Sequence, residues 1–95
     1  MKLKVIIPNS GMDRETLQAR EKMLKAACRD STVVSVDCIE KGPESIESAY
    51  DEALAVPEVL RLGVQAEKDG YDAIVVYCGS DPGVDALREM VRIPV

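Results

Sequence analysis

Along residues 2 to 8, KLKVIIP, polar and apolar positions alternate and then merge into a β-branched run, the pattern of a strand buried at its far end. Pro8-Asn9-Ser10-Gly11 reads as a turn. Helical spacing follows and brings Leu17, Met23, Leu24, Ala27 and Cys28 near one face. Residues 32 to 38, TVVSVDC, have strand composition again, and Lys41-Gly42-Pro43-Glu44-Ser45 is a loop. Ser45 is expected to cap a helical segment, Pro57 to start a second one and Gly70 to stop it. The run Ala73-Ile74-Val75-Val76-Tyr77 predicts a buried strand ending at Cys78. After it, Asp81 and Pro82 read as the N-cap and first residue of a helix through Val84, Leu87, Met90 and Val91. Arg92-Ile93-Pro94-Val95 then resembles the approach to a rudimentary fourth strand.

Strands that alternate with helices predict an α/β fold. The expected form is a three-layer sandwich with a small parallel sheet of three to four strands flanked by helices, residues 1–95 forming a single lobe. Right-handed crossovers put every strand's carboxyl end on one edge, where ligands bind, and the first and third strands are expected to be neighbours. A sheet that stops near Val95 leaves strand edges and apolar helix faces to be covered, so a second lobe or another copy of the chain is the expected partner.

Charge and composition narrow the function. A net charge of −5, no histidine or tryptophan, and Lys and Arg scattered among acidic residues offer nucleic acid neither a basic stripe nor a stacking platform. The apolar start stops at Pro8, too short for a secretion signal or a membrane span, so the expected location is cytoplasmic. Three cysteines without a CxxC pair argue against a disulfide framework, and with no histidine a metal site lacks ligands, so the expected chemistry is metal-free. No GxGxxG fingerprint is present. The acidic positions Glu40, Glu44, Glu47, Asp51 and Glu52 read as a solvated face.

Cys78 is the candidate reactive group. At the tip of a strand and before a helix, a thiol meets unpaired backbone N–H groups and partial positive charge, which favour a thiolate or an enolate-like oxygen; Asp81 and Asp85 oppose that charge. The Asn9 amide and the Ser10 and Ser80 hydroxyls would then hold a small anionic or imide-like ligand beside the sulfur. Cys28, on a helix face, and Cys38, at the end of the second strand, read as structural.

Three segments, IIPNSGM, GPESIESAYDEALAVP and DAIVVYCGSDPGVDALREMVRIPV, resemble the aspartate/glutamate racemase superfamily, and within it the hydantoin and allantoin racemase branch. They span nearly the whole chain in the family's order. The resemblance implies cofactor-independent racemisation or epimerisation at a carbon next to a carbonyl of a hydantoin, allantoin or amino acid, one thiolate removing a proton and a second thiol returning one to the other face. Cys78 matches one catalytic cysteine of the family, Gly79 and Ser80 the substrate-contacting pair after it, and Asn9 and Ser10 the substrate-contacting positions of the first loop. The family's second catalytic cysteine comes from a second lobe, and neither Cys28 nor Cys38 lies in a motif resembling it. Two other readings fit the same residues: a non-catalytic single-lobe binding or oligomerisation module, and a single-cysteine isomerase of the same architecture, as in the maleate isomerase relatives.

Overall fold

The β-branched runs form the sheet and the apolar stripes of the helices cover it. In the computed structural model, which describes residues 1–95, the order is β1 (Lys2–Ile7), α1 (Arg14–Ala26), β2 (Val33–Cys38), α2 (Ala49–Lys68), β3 (Ala73–Val76) and α3 (Val84–Met90). All strands are parallel, in the order β2-β1-β3, with Ile7 opposite Cys38 and Ile6 opposite Val76. The first and third strands are neighbours, as the sequence predicts. No fourth strand forms. The Pro94 carbonyl accepts a hydrogen bond from the Ile74 N–H (2.9 Å), and the Arg88 guanidinium donates to the Val95 carbonyl (2.8 Å from Nη2), so the final residues lie against the outer edge of β3.

Alternation along β1 splits the core into two clusters. Ile6 joins Ile39, Ile74, Val76, Ala55, Val59, Ala66, Leu87 and Val91 under α2 and α3. Val5 and Ile7 join Val34 and Val36 under α1. Each Val, Leu or Ile side chain among them taken fully out of water stabilises the fold by about 1.5–3 kcal/mol. The fit between α2 and α3 depends on Gly63, because a Cβ there would lie 2.5 Å from Leu87 Cδ1. Lys4, on the α2 face of β1, is buried and satisfied by Asp37 and by the face of Tyr71, whose ring centre is 5.1 Å from its Nζ.

Several boundaries differ from the pattern. Ser48, not Ser45, caps α2, its hydroxyl accepting from the Asp51 N–H (3.2 Å), and Pro57 lies inside one continuous helix instead of starting a second. A proline there removes one backbone donor, but the buried face made by Ala55, Val59, Gly63 and Ala66 runs across it and outweighs the loss. On α1, Met23 and Ala27 face solvent, while Leu17, Leu24 and Cys28 pack inward. Glu21 shares that inward stripe and accepts a hydrogen bond from the Val36 N–H (3.2 Å), which covers part of the free edge of β2.

The candidate active site at the carboxyl edge

β3 ends at Val76, two residues earlier than expected, so Cys78 stands beyond the strand and not at its tip. The last bond of the ladder runs from the Tyr77 N–H to the Ile6 carbonyl (2.9 Å). The chain then folds into local turns, with the Asp81 N–H donating to the Cys78 carbonyl (3.1 Å) and the Val84 N–H to the Asp81 carbonyl (3.2 Å). Asp81 and Pro82 do not cap the helix. Pro82 is buried, Asp81 adopts left-handed backbone (φ 52°), and α3 begins only at Val84, after Gly83 (φ 78°), with no side-chain cap. The N-terminus of this seven-residue helix is thus six residues from the thiol, and the donors nearest in sequence to Cys78 are loop amides instead.

Those amides are free. The N–H groups of Gly79 and Ser80 make no hydrogen bond within the protein, and both residues are exposed. The Cys78 sulfur, half-buried and unpaired, lies 3.5 Å from the Ser80 hydroxyl. A Cβ on Gly79 would meet nothing within 4 Å. As the thiolate, a sulfur beside two unbonded amides and a hydroxyl can receive a proton while the donors hold a developing oxyanion.

The first loop leaves the neighbouring strand at the same edge, so the loops carrying Asn9 and Cys78 start from adjacent, paired strands. No hydrogen bond joins the two loops beyond that last bond of the ladder. The side-chain amide of Asn9 is unengaged, whereas Ser10 is committed elsewhere. Its N–H donates to the Pro43 carbonyl and its hydroxyl to the Gly42 carbonyl, each at 2.8 Å. Segment 40–48 therefore packs beside the first loop, and the Glu44 side chain lies against Gly11 (φ 79°). The Lys41 N–H is held from α2 by Glu58 (3.2 Å). The hydrogen bond from Arg61, followed by smaller contributions including the Lys41 amide, keeps the Glu58 carboxyl below its usual range, and Glu58 in turn raises Arg61. This wall was invisible in the sequence as a site element, although Gly42-Pro43 follows β2 at the same edge.

The other two cysteines have other neighbours. Cys38 alternates with Val34 and Val36 onto the α1 face and approaches the Met12 carbonyl (4.0 Å), and Cys28 donates to the Leu24 carbonyl (3.3 Å) in the last turn of α1. Cys38 ends β2 at the same edge and is half-buried like Cys78, but only Cys78 stands beside unbonded loop amides. Cys78 lines a shallow depression of about 340 Å³ with Val76, Tyr77 and Gly79. A larger groove, about 630 Å³, runs along the outer edge of β3 past Ile74, Val76, Ser80, Val84, Arg88 and Val95, without reaching the sulfur. No three His, Cys, Asp or Glu side chains converge as a metal-binding group, and no helix is long and apolar enough to cross a membrane.

Residues 3–95 match the model of the family described as Asp/Glu/Hydantoin racemase. The chain is 40% identical over 95 residues to a hydantoin racemase of Pseudomonas sp. (strain NS671), and 40% identical over 95 residues to one of Rhizobium meliloti. Both alignments cover all of this chain but only 37% and 39% of those proteins. Among solved structures, an allantoin racemase from Klebsiella pneumoniae superposes with a TM-score of 0.87 at 30% identity, again over 100% of this chain and 38% of that one. The chain thus spans about two fifths of the length of the relatives it matches.

Proposed function

The chain belongs to the Asp/Glu/Hydantoin racemase family, and from that premise we propose that it forms one lobe of a cofactor-independent racemase acting on a hydantoin, an allantoin-like ureide or an amino acid. Cys78 serves one face of the stereocentre. As the thiolate it takes the proton from the carbon next to the carbonyl; the C–H electron pair moves into the carbonyl, and the oxygen becomes an enolate. The amides of Gly79 and Ser80, together with the Asn9 side chain, donate to that oxygen, and hydrogen bonds to a developing charge strengthen as the charge grows. A second thiol on the opposite face gives its proton to the carbon and is left as the thiolate, ready for the reverse reaction. Cys28 and Cys38 lie on the α1 face of the sheet, so the second thiol is assigned to another lobe or another copy of the chain.

The observation that carries this reading is the free Cys78 thiol beside two unbonded amides at the carboxyl edge. The test is solvent-deuterium incorporation at the α-carbon of single enantiomers of hydantoins, allantoin and amino acids, in the intact protein and in Cys78→Ser. Exchange should fall by about 10²–10⁴-fold in the variant, the range a positioned acid or base contributes. Exchange that survives Cys78→Ser would remove the thiol from the chemistry. No exchange with any of these substrates in the parent protein would assign the lobe to binding or assembly.

A further inference from the structure

Ser10 matches a position that contacts substrate in the family, yet its donors are already spent. Its N–H and its hydroxyl hydrogen both bind carbonyls of the Gly42-Pro43 turn, at 2.8 Å each. Elsewhere the 40–48 segment is attached mainly to the α2 side: the Lys41 N–H to Glu58, the Glu47 N–H to Asp51 (3.1 Å), and Ile46 packed against the larger apolar cluster. Those ties hold the ends of the segment. Its middle, Gly42 to Ser45, meets the first loop through Ser10 and through Glu44 lying over Gly11. Gly42 (φ 149°) leaves no room for a side chain, since a Cβ there would lie 2.6 Å from Ile39 Cδ1.

We infer that Ser10 is a positioning residue that clamps the 42–45 turn onto the first loop, so that this segment forms a fixed wall of the Cys78 edge and its polar side chains stand at a set distance from the ligand. The role in catalysis rests on the racemase reading; the clamp itself does not. The hydroxyl oxygen keeps lone pairs to accept with, but it has no second hydrogen to give to a substrate oxygen while the clamp is closed.

Amide hydrogen exchange of the intact, ligand-free protein separates these roles. In Ser10→Ala, peptides covering residues 9–11 and 41–48 should take up deuterium about three- to tenfold faster, the effect of losing one hydrogen bond of ordinary net strength. Ser10→Thr, which keeps the hydroxyl, should restore the parent rates, and protection of β1 and β2 should stay unchanged as proof that the fold survives. On an active enzyme, Ser10→Ala should raise KM by a similar factor while leaving kcat and its pH profile in place. Unchanged uptake with a raised KM would overturn the clamp and return the hydroxyl to direct substrate contact. Unchanged uptake and unchanged kinetics would overturn it as well. Because uptake is read without substrate, a protein inactive toward every hydantoin or amino acid would defeat the racemase reading and leave the clamp to be judged on exchange alone.

Discussion

The loop after β1 is tied to the rest of the molecule at residue after residue, whereas the loop after β3 is bonded chiefly to itself. In the first, Pro8 is fully buried, Ser10 makes two bonds to the Gly42-Pro43 turn, the Met12 carbonyl faces the Cys38 thiol and Asp13 caps α1. In the second, Cys78 is half-buried, Gly79 and Ser80 are exposed with free amides, Asp81 is left-handed and the helix that follows has no side-chain cap. Only Pro82 anchors it in the core. The difference separates two tasks at one edge: the tied loop fixes where the wall stands, and the free loop keeps its thiol and donors uncommitted until a ligand arrives.

The sharpest way to break that contrast is a pair of identical substitutions. In Gly42→Ala the new methyl would sit 2.6 Å from Ile39 Cδ1 on a backbone with φ of 149°. The expected loss is roughly 1–3 kcal/mol, from overpacking and an unfavourable conformation. In Gly79→Ala the methyl meets open space, and stability should move by less than about 0.5 kcal/mol. Denaturant midpoints of the two variants measure this directly. Equal losses would mean that the Cys78 loop is packed as tightly as the wall.

Asp81→Gly gives the next largest effect. Glycine adopts φ of 52° without a Cβ penalty, so relief of strain should stabilise the protein, by no more than about 1 kcal/mol after the added freedom of the unfolded chain is subtracted. A thermal shift downward would show that the Asp81 side chain does more for this loop than its backbone costs.

The smallest effect concerns the capped end of the tied loop. The Asp13 carboxylate accepts from the Thr16 N–H at 2.7 Å, and that bond holds the Asp13 carboxyl below its ordinary value. A depressed folded value means that the cap contributes fully above about pH 3.9, the unfolded reference, and is lost as the pH falls through the folded value. The Thr16 amide resonance should therefore follow a titration centred below that reference. A midpoint at or above it would place Asp13 outside the cap.

Much of this architecture could be read from the chain itself. β-branched runs and alternation are local, and they located all three strands, while the general rules of parallel α/β sheets gave the β1–β3 neighbourhood and the edge that carries Asn9 and Cys78. The misread positions share a cause, which is that a local preference met a stronger tertiary demand. Pro57 favours a helix start, yet a buried stripe from Ala55 to Ala66 carries the helix through it. Asp81-Pro82 has the chemistry of a cap, but burying Pro82 turns the chain and delays α3 to Val84. Helical spacing puts Met23 and Ala27 on the inner face of α1, but both lie exposed, and Glu21 shares the inward stripe, where it accepts from the Val36 N–H of the β2 edge. The partners of Ser10 are backbone carbonyls, and the one bound by its hydroxyl lies 32 residues away, so no side-chain pattern announces them.

The strand order β2-β1-β3 also has a consequence in time. β1 is the middle strand, yet the ribosome makes it before either neighbour, and the contact between Lys2 and Asp72 at the start of the β1–β3 pair spans 70 residues. At about 5–20 residues per second, that interval is roughly 4–14 s during which Ile6, whose cluster is completed by β3 and α3, is synthesised but not enclosed. The nascent chain should therefore engage chaperones through its β1 segment, and that segment should be released only when β3 emerges.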